Sequence, residues 1–81
     1  MTVRVLLFAA AKAAIGSPAI ELALAEPARV ADVRAELHRR FPDLRGLLAR
    51  SWIAVNQRVA PADADVQSHD EIAWIPPASG G

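Results

Sequence analysis

The sequence contains no cysteine among its 81 residues. This absence excludes disulfides, thiolate metal sites, catalytic thiols and internal thioesters. Lysine is scarce as well, because Lys12 is the only one beside eight arginines, which leaves few amines for isopeptide bonds. Because the sequence has no cysteine, any sulfur transfer by this protein would have to use the end of the chain.

The sequence also lacks an excess of charge of either sign. Nine basic and nine acidic residues give a formal net charge of zero, whereas proteins that bind nucleic acids or membrane surfaces usually carry excess positive charge. The apolar run at residues 5–11 is too short to cross a bilayer and lacks the layout of a signal peptide. We therefore expect a cytoplasmic protein whose main partners are neither nucleic acids nor membranes.

The length allows one domain, near the lower size at which a single core holds a chain together. Val30, Val33, Leu37 and Phe41 recur at helical spacing and predict one main helix, which Pro42 ends. A short second helical turn is predicted at residues 44–50. We expect a folded domain over residues 1–75 and a flexible tail over residues 76–81.

Alternating and β-branched apolar residues predict strands on both sides of the main helix. The predicted strands are residues 3–8, 19–24, 52–56, 58–60 and 71–75. Residues 9–16 are predicted to be a connection and residues 61–70 a polar loop. The order predicts an α+β fold, a mixed sheet of about four to five strands packed on one main helix, with the first and last strands adjacent at its centre.

The last six residues suggest a function for the chain end. Pro76 and Pro77 lack an amide hydrogen, so we expect the final strand to end at Ile75. Gly80 and Gly81 have no side chains, which lets the backbone approach another molecule closely. The Gly81 carboxylate is therefore a candidate for activation as an acyl group in a partner's narrow active site. A frayed end or the remnant of a fusion is the alternative interpretation.

The whole chain resembles the ubiquitin-like β-grasp proteins, and its ending resembles the molybdopterin synthase small-subunit family. The resemblance is carried by residues 5–9, Gly16, the helix at Val30, residues 54–57, and residues 70–77 followed by Gly80 and Gly81. The ending Asp-Glu-hydrophobic-Ala-aromatic-x-Pro-Pro-x-x-Gly-Gly is specific, whereas a lone Gly-Gly is not. The resemblance implies a β-grasp domain with an extended C-terminal tail.

The resemblance also implies a sulfur carrier whose chemistry is performed by partners. An E1-like activating enzyme would use ATP to adenylate the Gly81 carboxylate, and a sulfur donor would convert it to a thiocarboxylate. The synthase large subunit, in an expected heterotetramer, would transfer that sulfur to cyclic pyranopterin monophosphate. This chain would bind no cofactor or metal and would have no active site of its own.

The family resemblance places the partner-binding surface at five residues: Phe8, Val59, Ile75, Pro76 and Pro77. Strand alternation also turns Phe8 and Ile75 away from the expected core, and an exposed apolar patch often marks an interface. The alternative is that Phe8 simply covers the open face of the sheet.

Several charged positions complete the prediction. Lys12, Arg39 and Arg40 are candidates for contacts with acidic partner surfaces. Two positions depart from the family pattern, since His69 stands where glycine is usual and Arg29 where a Ser or Thr helix cap is usual. A left-handed backbone at the first position would suit His less well than Gly, and the helix start at the second would be weaker.

Two other functions remain open at this point. The chain could instead be a sulfur carrier for thiamine, cysteine or tRNA thiolation, or a ubiquitin-like modifier whose activated tail forms isopeptide bonds with protein lysines. Alternatively, the chain could be a passive β-grasp interaction module whose tail performs no chemistry.

Overall fold

The computed structural model describes residues 1–77, which form a mixed sheet packed on one long helix. The strands are β1 (Thr2–Leu7), β2 (Ala19–Ala23), β3 (Ala28–Arg29), β4 (Trp52–Val55), β5 (Arg58–Val59), β6 (Asp65–Val66) and β7 (Ile72–Ile75). The helices are α1 (Ala9–Ile15), α2 (Val30–Arg40) and α3 (Arg45–Ala49), the last preceded by a 3₁₀ turn at Pro42–Leu44.

The main sheet has five strands in the order β2-β1-β7-β4-β5. β1 and β7 are parallel neighbours at its centre, with Leu7 opposite Trp74, and the other pairs are antiparallel. The parallel pairing matters for function because the chain leaves β1 and β7 at the same end of the sheet. The predicted α+β architecture, a mixed sheet on one main helix with the terminal strands central, is confirmed.

The core lies between α2 and the inner face of the sheet. Strand alternation places Val3, Val5 and Leu7 of β1 inward, and all three are buried. The predicted helical stripe is also buried at three of its four positions, and these residues join the strand residues in one apolar cluster: Val30, Val33 and Leu37. Phe41, the fourth position of the stripe, is only partly buried at the edge of that cluster.

Two predicted connections are wrong. Residues 9–16 contain helix α1, which ends at Gly16 in a left-handed conformation; this alanine-rich run has high helix propensity, but its helix has only two turns. Residues 61–70 contain β6, which pairs with β3 in a separate two-stranded sheet. Strands of two residues carry no detectable alternation, so only the tertiary pairing defines them.

The start of α2 is held by a residue inside the helix. Arg29 occupies the N-cap position, and its side chain makes no capping hydrogen bond. Its backbone N–H instead donates to Asp32 Oδ2 at 2.8 Å, so the carboxylate satisfies the amide and lies favourably at the positive end of the helix dipole. The missing Ser or Thr cap is therefore compensated in part.

The turn between β4 and β5 uses a strained backbone. Asn56 and Gln57 have φ angles of 53° and 69°, the left-handed values that a two-residue hairpin of this kind requires. Asparagine tolerates this region better than glutamine. His69, in contrast, is not among the described residues with positive φ, so the left-handed geometry considered there is absent.

Gln57→Gly is therefore expected to stabilise the domain by about 0.5 to 1 kcal/mol, because glycine adopts positive φ without steric cost. Urea denaturation followed by circular dichroism measures the change. Asn56→Gly is the matched control and should instead destabilise, because the Asn56 amide binds Asp70 and Glu71. A Gln57→Gly variant less stable than the parent protein would contradict this account of the turn.

Candidate functional site: the outer sheet face and the root of the tail

The tail begins where β7 leaves the sheet. β7 ends at Ile75, as the two prolines predict. Pro76 is buried and Pro77 is half-buried, so the root of the tail is packed against the domain. Gly80 and Gly81, the predicted chemical end of the chain, lie outside the described residues.

The outer sheet face, which points away from α2, carries two adjacent rows of apolar side chains. In the first row, Ile75 pairs with Trp52, and Phe8 lies one residue beyond the Leu7–Trp74 pair. In the second row, Ala73 lies between Leu6 and Ala54, and Ala54 pairs in turn with Val59. We call these two rows the outer apolar patch, which comprises Phe8, Ile75, Trp52, Leu6, Ala73, Ala54 and Val59.

The patch is exposed through its three largest projecting residues. Phe8 is 46% exposed, Trp52 55% and Val59 60%, and they are the exposed large hydrophobic residues of residues 1–77. Ile75 is half-buried between its neighbours. A cluster of apolar side chains on one face, beside the root of the tail, has the composition of an interface core.

The structure brings together most of the predicted partner-binding residues. Phe8 and Ile75 are neighbours in the first row, as expected, whereas Val59 lies on β5 at the far end of the second row, separated from Ile75 by β4. Pro76 and Pro77 follow directly at the edge of the sheet. Whether these residues bind a partner stays a prediction.

Trp52 is the residue that sequence reasoning missed. The signal was present, because placing Ile53 and Val55 toward the core turns Trp52 to the opposite face. Its pairing with Ile75 required the order of strands, which places β4 beside β7. Tryptophan is enriched among residues that dominate binding energies, so this position adds considerably to the patch.

The predicted basic contacts lie elsewhere. Arg39 forms an ion pair with Glu36, with 2.6 Å between Nη2 and Oε2, and Arg40 donates to the Glu21 backbone oxygen at 2.6 Å. Both arginines are on α2, which covers the inner face of the sheet, so they do not border the outer apolar patch. Lys12 lies on α1, which directly follows Phe8, and is closer to it.

A polar network locks the segment before β7 to the hairpin turn. The Asn56 side chain donates from Nδ2 to Asp70 Oδ1 at 3.0 Å and accepts from the Glu71 N–H at 2.9 Å. The other Asp70 oxygen accepts from the Gln67 N–H at 2.7 Å. The Asp70 side chain is only 9% exposed. These contacts hold the start of β7 and therefore the strand from which the tail leaves.

Hydrogen bonds from Asn56 and from the Gln67 amide lower the pKa of Asp70 below its ordinary value of 3.8. A carboxyl with a depressed pKa in the folded state contributes stability that is complete above its unfolded pKa. That contribution is lost as the pH falls from about 3.8 through the lower folded value. We expect Asp70→Asn to remove this part of the acid destabilisation.

The measurement is the free energy of unfolding against pH for the parent protein and Asp70→Asn. The parent should lose stability more steeply below pH 3.8. Asp63→Asn is a suitable control because Asp63 is exposed. Parallel curves for the parent and Asp70→Asn would contradict the assignment.

No helix within residues 1–77 is long and apolar enough to cross a membrane. The same residues contain no group of three His, Asp or Glu side chains placed to hold a metal ion.

Comparison with known sequences identifies relatives over nearly the full length. The sequence model of the ThiS family matches residues 5–81. A molybdopterin synthase sulfur carrier subunit from Dictyostelium discoideum is 40% identical over 82 aligned positions, covering 96% of this chain and 94% of the relative. The predicted resemblance to this family is confirmed.

Solved structures share the same fold. A Pyrococcus furiosus protein named for subunit 1 of molybdopterin converting factor is 28% identical, with a TM-score of 0.85 over 96% of this chain and 99% of that one. The small archaeal modifier protein 1 of Methanosarcina acetivorans is 26% identical, with a TM-score of 0.80 over 99% of this chain and 96% of that one. These likenesses confirm the β-grasp fold.

A third structure is a complex of subunits 1 and 2 of the molybdopterin-converting factor from Helicobacter pylori. The matching chain is 23% identical, with a TM-score of 0.69 and full coverage of both chains. At 23% identity, this likeness shows a shared fold and nothing beyond it.

Proposed function

This chain belongs to the ThiS family, and we propose that it is the sulfur carrier subunit of a molybdopterin synthase. The observation that carries the proposal is the near full-length similarity to a protein of that name at 40% identity, together with the terminal Gly80-Gly81 that the chemistry requires. We place its action in the cytoplasm.

The proposed chemistry takes place at the Gly81 carboxylate. One carboxylate oxygen attacks the α-phosphorus of ATP on an E1-like activating enzyme, and pyrophosphate leaves. The resulting acyl adenylate has AMP as a good leaving group, so a sulfur nucleophile displaces it and leaves a thiocarboxylate. The large subunit then directs this sulfur to cyclic pyranopterin monophosphate. Gly80 and Gly81 let the backbone enter a narrow active site.

The folded domain contributes recognition in this scheme. The outer apolar patch would dock on the large subunit, because its exposed aromatic and aliphatic side chains supply the apolar centre that interfaces need. Pro76 and Pro77 would set the direction in which the tail leaves, since their φ angles are fixed and Pro76 is already buried. A heterotetramer with two large subunits is the assembly we propose.

One alternative has a specific observation in its favour. The fold is also that of small archaeal modifier protein 1, at 26% identity, which supports a ubiquitin-like modifier that forms isopeptide bonds with other proteins. Both functions begin with adenylation of the chain end and differ in the nucleophile that follows.

The decisive experiment weighs the intact protein after incubation with ATP, an activating enzyme and a sulfur donor. We expect the mass change of one oxygen replaced by one sulfur, and its loss when Gly81 is deleted or a residue is appended after it. Adding the large subunit and the pterin precursor should then yield molybdopterin. Absence of the exchange would refute the carrier function, and lysine adducts on other proteins without molybdopterin would favour the modifier.

A further inference from the structure

A groove between α2 and α3 combines an apolar floor with a basic rim. Short apolar side chains and one buried leucine form the floor: Ala31, Ala35, Ala49 and Leu48. Longer side chains that carry nitrogen donors form the rim: Arg34, His38 and Arg45. We call these residues together the helical groove.

The spacing of residues along α2 creates one wall of the groove. Ala31, Ala35 and His38 are separated by four and then three positions, so they lie on one flank of the helix. All three are exposed, and this flank lies beside the buried stripe that packs on the sheet. Because alanine has the shortest apolar side chain, positions 31 and 35 leave a depression between the two helices. From Ala31 to His38 the depression runs about 10 Å, or two helical turns.

Hydrogen bonds across the two helices hold the groove in shape. Arg34 on α2 donates from Nη1 to the Leu48 backbone oxygen at 3.0 Å and from Nη2 to the Ser51 backbone oxygen at 2.6 Å. The Ser51 hydroxyl donates to the Leu47 backbone oxygen at 2.6 Å. The end of α3 is therefore fastened to α2, and a ligand meets a preformed surface, which lowers the cost of binding.

The charge of the groove is positive and is not compensated locally. No carboxylate lines it. Two carboxylates of α2 are engaged elsewhere, since Asp32 accepts the backbone N–H at the start of the helix and Glu36 pairs with Arg39. Within residues 1–77, neither Arg34 nor Arg45 forms an ion pair. Two guanidinium groups thus flank an apolar floor without a partner of opposite charge.

We propose that the helical groove binds a short acidic, amphipathic segment of a protein partner. An apolar side chain of that segment rests on the alanine floor, and its carboxylates pair with Arg34 and Arg45, the charge complementarity that fixes the register of an interface. The length of the groove suits about two turns of a helix laid into it. A nucleic acid fits less well, because the lining contains no aromatic side chain for base stacking and the chain has no net charge.

The helical groove is separate from the outer apolar patch. The two surfaces share no residue, and α2 covers the inner face of the sheet whereas the patch lies on the outer face. A partner in the groove therefore leaves the patch and the root of the tail accessible. The proposal does not depend on the proposed function, because it uses neither the patch nor the chain end.

The test titrates the full ¹⁵N-labelled chain with a synthetic peptide of about fourteen residues, blocked at both ends, with leucines along one helical face and glutamates flanking them. We expect saturable shifts of the amide signals of Ala31, Ala35 and Ala49, with a dissociation constant in the high micromolar range. Affinity should fall several-fold as sodium chloride rises from about 0.05 to 0.3 M, because the ion pairs are screened.

Two variants test the rim and the floor separately. Arg45→Glu should weaken binding at least about tenfold by placing a like charge against the peptide, and a carboxylate at the start of α3 suits the helix dipole. Ala35→Gln fills the floor without changing the charge and should also weaken binding. Arg58→Glu is the matched control, because Arg58 is exposed on β5 outside the groove, and should change the affinity less than twofold.

Several results would overturn the proposal. They are the absence of shifts at millimolar peptide, shifts centred on Phe8 and Trp52, and equal affinity for a peptide with lysine in place of glutamate. Unchanged binding by both Arg45→Glu and Ala35→Gln would also overturn it, as would tighter binding of a single-stranded oligonucleotide in the groove. Circular dichroism of each variant confirms that a loss of binding does not reflect a loss of the fold.

Discussion

Phe8→Ala and Trp52→Ala are each expected to weaken association with the synthase large subunit about 30-fold or more, the effect of losing roughly 2 kcal/mol at an interface hot spot. Both side chains project from the sheet, 46% and 55% exposed, on either side of Ile75. Removing either takes away exposed apolar area from the outer apolar patch without opening a cavity in the core.

Calorimetric titration of the large subunit measures this effect. Neighbouring residues in β5 provide the control, because Val59 lies in the patch and Arg58 pairs with Val55 on the other face. Val59→Ala should weaken binding, whereas Arg58→Ala should have little effect. Unchanged affinity in both Phe8→Ala and Trp52→Ala would exclude the patch as the docking surface. The same variants should also bind the activating enzyme less tightly if both partners use this face.

Trp74→Ala is expected to cost about 3 to 5 kcal/mol of folding stability, the range for truncating a buried aromatic residue. Trp74 is 0% exposed and lies in the core cluster, on the strand between β1 and β4. A domain of this size has only about 5 to 15 kcal/mol in total, so much of the variant should be unfolded at moderate temperature.

The two tryptophans form a matched pair for this measurement. Trp52→Ala removes the same side chain from the surface and should change stability by about 0.5 kcal/mol or less. Trp74→Phe should cost much less than Trp74→Ala, because the indole N–H of Trp74 is buried without a hydrogen-bond partner among residues 1–77 and the change removes that donor. Urea denaturation compares all three. Equal stability of Trp74→Ala and Trp52→Ala would contradict the assigned core.

The strongly patterned elements were predictable. Val30, Val33 and Leu37 have helical spacing, and α2 forms there; Val3, Val5 and Leu7 alternate, and β1 forms there. Pro76 ends the last strand because it lacks an amide hydrogen. In each case the signal lies within one element, where burial of one face determines the local structure.

Elements defined by distant partners were not predictable in the same way. β3 and β6 have two residues each and exist through their pairing. The contact between Asn56 and Asp70 joins residues fourteen apart, and nothing in either segment indicates the other. Trp52 could be turned outward by alternation, but its position beside Ile75 depends on which strands are neighbours.

The amino-acid sequence by itself determined the chemical character of this protein: the absence of cysteine, the balanced charge, the strand that stops at two prolines and the terminal glycines are local properties that need no fold. The tertiary structure alone decided which residues lie together. Parallel pairing of the first and last strands, which are far apart in the chain, joins Phe8 to Ile75 and brings α1 with Lys12 beside the root of the tail. Such contacts arise from burying one common core, and that energy belongs to the whole chain rather than to any segment of it.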